Sequence, residues 1–243
     1  MPDDTGGLAA ALMSGDRSYL PKPVIEDLRR SNLAHLLAIS GLHMGLLTTV
    51  VFGFVRTSLS LFWPNMVRMN AKKCAAVVAL VFAAVYLMIS GASISTQRSF
   101  IMVTVMLGAV LIDRQVMSLR MVSLAALIIL TLRPESLFGP GFQMSFSATI
   151  ALVVTFKKFN SVFPYRWTWI KAPVVLFISS FIAGAATAPY SAAHFNQISQ
   201  LGLIANLLSV PVMSALVAPC ALIAVLLSGF GLEWIGFWGV DLG

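Results

Sequence analysis

Residues 35–55 read HLLAISGLHMGLLTTVVFGFV, from His35 to Val55. At 1.5 Å per residue a helix of that length covers about 30 Å, the thickness of a bilayer's hydrocarbon core. The stretch therefore reads as a membrane span. Yet His35, Ser40 and His43 stand in its first turns, and polar or ionisable groups at membrane depth cost free energy that an inert anchor has no reason to bear.

The rest of the chain has the same character. Its 243 residues are 58% hydrophobic and 10% charged, with a mean hydropathy of +0.90, more apolar surface than a soluble domain of this size can bury. The expected fold is all-α, a polytopic integral membrane bundle of about seven spans. They are placed near residues 35–55, 74–90, 97–112, 117–132, 139–156, 173–190 and 201–228. The last contains Pro211 and Pro219, which remove backbone donors, so two half-helices or a re-entrant segment are expected there. Pro189 is read as a helix end or kink, and Gly139-Pro140-Gly141 as a loop into the fifth span. Residues 1–32 carry Asp3, Asp4, Asp16, Glu26 and Asp27 and lack the basic start and apolar core of a signal peptide. Cys74 and Cys220 stand far apart in apolar stretches and are read as packing residues, not as a disulfide or metal pair.

Orientation follows from the loops. On one side fall Arg56, Arg68, Lys72, Lys73, Arg114, Arg120, Lys157, Lys158, Arg166 and Lys171, against few acids, Asp113 and Glu233 among them. The other side carries Arg17, Lys22, Arg29, Arg30, Arg98 and Arg133, balanced by Asp3, Asp4, Asp16, Glu26, Asp27 and Glu135. Positive charge marks the first side as cytoplasmic and leaves segment 1–32 outside. All five tryptophans fall on the cytoplasmic side, where indoles suit the headgroup zone.

Once oriented, the polar residues collect at the outer end. His35, Ser40, Gly41 and His43 open the first span, Gln97 and Arg98 the third, Gln143 and Ser145 the fifth, and Asn206 the last, while His194, Asn196 and Gln197 follow the sixth. Together they describe a polar vestibule. Arg98 is its strongest member, because guanidinium keeps its charge and must find a carboxylate, carbonyls, water or an anionic ligand, unless it snorkels to the interface.

Catalytic chemistry finds little support. His35 and His43, eight residues apart, are separated by about 12 Å along the helix and about 80° around it, so they cannot share a metal, and the i, i+4 pair of a zinc helix is missing. There is no GxxxxGK[ST] and no GxSxG. Gly41 and Gly45 form a GxxxG, which points to a close helix contact, with Ser40 and His43 facing elsewhere. Neither enzyme activity nor a cofactor is expected.

The string HLLAISGLHMG at His35–Gly45 resembles the signature of the ComEC/Rec2 family of competence proteins. GDRSYL at 15–20, GASISTQRSF at 91–100, LRPESLFGPGFQMSFSATIAL from Leu132 and NLLSVP at 206–211 follow in the family's order. The resemblance implies a bacterial inner-membrane, multi-pass channel that passes single-stranded DNA to the cytoplasm during natural transformation, working with the lipid bilayer and other DNA uptake proteins, with a homodimer as one way to enclose the pore. It implies an extracytoplasmic segment at 1–32 and a membrane competence domain at 33–243, cut at its C-terminus, without the OB-fold and metallo-β-lactamase-like regions of the family. Ser99 stands where the family pattern leads one to expect alanine. His35, Ser40, Gly41, His43, Gln97, Arg98, Gln143 and Asn206 are the expected DNA-binding or pore-lining positions. A small-molecule or ion transporter with a polar outer vestibule is the alternative, and an intramembrane hydrolase using Ser40 with a histidine is a third reading.

Overall fold

The computed structural model describes residues 41–62, 71–162, 168–196 and 202–212. Among them every regular element is helical: α1 Gly41–Phe62, α2 Ala71–Ile89, α3 Ile94–Leu111, α4 Leu119–Leu132, a 3-10 turn Pro134–Phe138, α5 Pro140–Val162, α6 Thr168–Phe195 and α7 Gly202–Val212. Each expected span has a helix at its place. Four stretches are long and apolar enough to cross a bilayer: His43–Phe62, Ala71–Ile89, Ile94–Leu111 and Pro173–Phe195. Leu119–Leu132 is apolar but short, about 21 Å at helical rise. Segment 1–32 and the last span beyond Val212, Pro219 included, lie outside the described residues.

Two compact units share the chain, one of Met1–Arg114 with Ser209–Gly243, the other of Gln115–Leu208. In the first, α1, α2 and α3 pack on one another, and α2 shows what holds them. Its Ala71, Ala75, Ala79 and Ala83 recur every fourth residue and are buried, the last three completely. Half a turn away Val77, Val81, Val85 and Met88 are exposed. Both faces are apolar, so side-chain size decides which one faces protein: alanine lets backbones approach closely, and the bulkier stripe is left for lipid. α1 answers with Met44, Thr48 and Val51 on one buried face. The Thr48 hydroxyl donates to the carbonyls of Met44 (2.8 Å) and Gly45 (3.0 Å), which hides its polarity where no water reaches.

Helix ends obey local chemistry. α2 ends at Gly91, whose left-handed φ of 69° lets its N–H reach Met88 O (3.2 Å) while the Ala92 N–H reaches Leu87 O (3.0 Å). α3 ends in the same pattern with Asp113 in the left-handed position, φ 54°. Lys73 at the start of α2 reaches across to Asp113, Nζ to Oδ2 2.7 Å. In the second unit α5 packs along α6, and α4 and the 3-10 turn pack against α5. Pro140 takes the first position of α5, where its missing N–H costs nothing. Phe142 and Phe146 are buried on the next turns, ring centroids 4.3 Å apart.

Two expectations need correction. Pro189 is not the end of its helix, which runs on to Phe195. Proline removes one intrahelical donor, the partner of Ala185 O, and the turns on either side carry the helix through that single gap. α7 includes Pro211 and is described as far as Val212; the expectation of half-helices or a re-entrant segment falls mainly on residues outside the described ones. Cys74 is exposed and not packed inside, because it belongs to the outward stripe of Val77 and Val81.

Candidate functional site

The first unit brings the start of α1 to the start of α3. A Cβ built on Gly41 would lie 3.2 Å from Ser99 Oγ and 3.9 Å from Ser99 Cβ, so the two helices touch there and a side chain at 41 would press on the Ser99 hydroxyl. Gly45, by contrast, has nothing within 4 Å of a built Cβ. Only the first glycine of the GxxxG makes the close approach. Ser99 is itself buried, and its hydroxyl donates to Ser95 O at 2.9 Å.

Around this contact the α2–α3 turn is held by its own hydroxyls. Ser93 caps α3, its Oγ accepting from the Thr96 N–H at 3.3 Å and lying 2.7 Å from Thr96 Oγ1, and Thr96 is fully buried. Ser90, also buried, donates to Leu87 O. The Gln97 amide turns back to the same turn, Nε2 donating to Ala92 O at 2.6 Å. This hydroxyl cluster escaped the reading of the sequence, although a serine just before an apolar helical run is a preferred capping residue.

Arg98 and His43 follow from this frame. Both are half-buried, in the first turns of α3 and α1, and the Gly41–Ser99 contact puts those turns at one level. Among the described residues no carboxylate lies within ion-pairing distance of Arg98. The polar end of this unit thus offers a permanent cation, with no carboxylate beside it among the described residues, and an imidazole at the same level, an arrangement suited to an anion.

Gln143 belongs to the second unit. Its Nε2 donates to Leu137 O at 3.1 Å, and its Oε1 lies 2.8 Å from His194 Nε2. The pair ties the 3-10 turn, the start of α5 and the end of α6 together. Asn206 lies in α7. His35 and Ser40 lie outside the described residues.

A family-wide sequence model described as Competence protein matches residues 12–243. The chain belongs to the competence protein family. ComE operon protein 3 of Bacillus subtilis (strain 168) is 32% identical over 228 residues, 93% of this chain and 27% of the relative. Recombination protein 2 of Haemophilus influenzae is 29% identical over 236 residues, 94% of this chain and 29% of the relative. The uncharacterized protein YcaI of Escherichia coli is 26% identical over 235 residues, 92% and 30%. The chain therefore spans less than a third of the length of each of these relatives. No solved structure matches it.

Proposed function

We propose that this competence-family chain is the membrane channel segment through which single-stranded DNA enters the bacterial cytoplasm during natural transformation, seated as a multi-pass protein in the inner membrane. The observation that carries the reading is the Gly41–Ser99 contact, which sets the imidazole of His43 level with the guanidinium of Arg98, beside which no carboxylate lies among the described residues. A strand entering a low-dielectric path must exchange water around each phosphate for other donors, and weak repeated contacts let it move on. Arg98 supplies the fixed positive charge, and His43 a second donor. The chain acts as a passage and not as a catalyst; other DNA uptake proteins deliver the strand, and either one chain or a homodimer encloses it.

Transformation of a naturally competent host carrying the full-length gene tests this. Arg98→Ala and His43→Ala each abolish transfer of labelled donor DNA into the cytoplasm while the amount of protein in the membrane stays unchanged. Normal transformation in both variants overturns the reading.

A further inference from the structure

Gln97 and Gln143 stand in different compact units, yet they open four-residue strings alike at three positions: Gln97-Arg98-Ser99-Phe100 and Gln143-Met144-Ser145-Phe146. The backbone repeats with it. Counting from the residue before each helix, Ser93 or Gly139, the glutamine is the fourth helical residue in both, and its N–H bonds to that same residue, Ser93 O at 2.9 Å and Gly139 O at 3.2 Å.

The side chains repeat as well. Each amide reaches past its helix start to a carbonyl of the preceding turn, Gln97 to Ala92 O and Gln143 to Leu137 O. Those turns need holding. Gly91 and Ala92 both have left-handed backbone, φ 69° and 48°, and Ala92 O and Leu137 O, set before the capping residues, lie outside the ladders of the helices that follow. In each unit one of the last two positions is buried, Ser99 against Gly41 and Phe146 beside Phe142, while Phe100 and Ser145 are half-buried. Only the second position differs in chemistry, arginine in one unit and methionine in the other.

We propose that Gln97 and Gln143 are positioning residues, one per unit, of a shared helix-start device. The glutamine locks the turn onto the helix, and the next residue is the one displayed. A donor amide committed to a turn carbonyl is a clamp, and in Gln143 the amide oxygen is engaged too, by His194. Arg98 then carries the ligand chemistry for which Gln97 prepares the ground. What Arg98 meets rests on the translocation reading; the clamp itself does not.

Hydrogen–deuterium exchange of the full chain in lipid nanodiscs, without DNA, separates the two. Gln→Glu keeps the size, removes the donor and sets a carboxylate against a carbonyl. Gln97→Glu raises exchange at residues 91–92 and 96–100, and Gln143→Glu at 138–147, each by about fivefold, the worth of one hydrogen bond, with residues 75–83 unchanged. Should protection across 75–83 fall as well, Gln97→Met and Gln143→Met, which keep length without a donor, decide by the same local readout. Unchanged local exchange together with reduced DNA uptake makes the glutamines strand contacts and overturns the proposal. Normal uptake in Arg98→Ala sinks the translocation reading and leaves the exchange result standing.

Discussion

Ser99 Oγ has little room to give. Its bond to Ser95 O fixes the rotamer that faces Gly41, so Gly41→Ala forces the hydroxyl aside and forfeits about 1 kcal/mol. In Gly41→Ala/Ser99→Ala the nearest approach is the Cβ contact at 3.9 Å, ordinary packing, and thermal unfolding in nanodiscs recovers most of the loss. The same 3.9 Å falls within the roughly 3.5–4.5 Å a disulfide needs. Gly41→Cys/Ser99→Cys, with Cys74 and Cys220 replaced by alanine, therefore oxidises to an intrachain crosslink, read as faster migration on non-reducing gels. At the other end of α3 the hydrogen bond from Lys73 holds the Asp113 carboxyl below its ordinary value of 3.8. A depressed folded-state value means a contribution present above that pH and lost as pH falls through the depressed value. Unfolding midpoints of the native chain and Asp113→Asn accordingly run parallel from pH 5 to 8, and their gap narrows only below about pH 4.

At the scale of the helix, α2 sorts its residues by bulk. Ala79 is fully buried and Val81 is 56% exposed, two positions apart on opposite faces. Ala79→Leu overfills the contact with α1 and α3 and costs about 1–3 kcal/mol or more, whereas Val81→Leu changes stability by less than about 0.5 kcal/mol. Equal effects in the two variants would mean that α2 is turned the other way. α6 teaches a different lesson about proline. Residues 173–190 were legible as a span from hydropathy, but its continuation past Pro189 to Phe195 was not, because proline's helix-breaking reputation comes from water, where a freed carbonyl finds other partners. The 3-10 turn at Pro134–Phe138 was hidden for a related reason: it is specified by Arg133 O, Ser136 and Gly139 bonding within the turn, not by any apolar period.

For the whole molecule, the placement of the helices was the most legible property, since apolar length is a one-dimensional signal. The expected spans and the observed helices coincide to within a few residues from α2 to α5. The pairing of Gly41 with Ser99 was only half legible. The glycines announce a close contact, but nothing local names the partner, and Ser99 looked like a neutral replacement for alanine. Direction across the membrane gives a further prediction. Ala92 precedes α3 and Asp113 follows it, so in intact cells a membrane-impermeant maleimide labels Ala92→Cys, whereas Asp113→Cys reacts only after permeabilisation. The reverse pattern would invert the bundle and put Arg98 at the cytoplasmic end. The two faces of α2 also carry a practical consequence. Because the protein-facing alanines and the outward stripe of Cys74, Val77, Val81, Val85 and Met88 do not overlap, the outward set can be rewritten with glutamate, lysine and glutamine while every helix–helix contact of α2 stays as it is. That is the starting recipe for a water-soluble version of the first unit, in which the Arg98 end could be titrated with short oligonucleotides free of lipid and detergent.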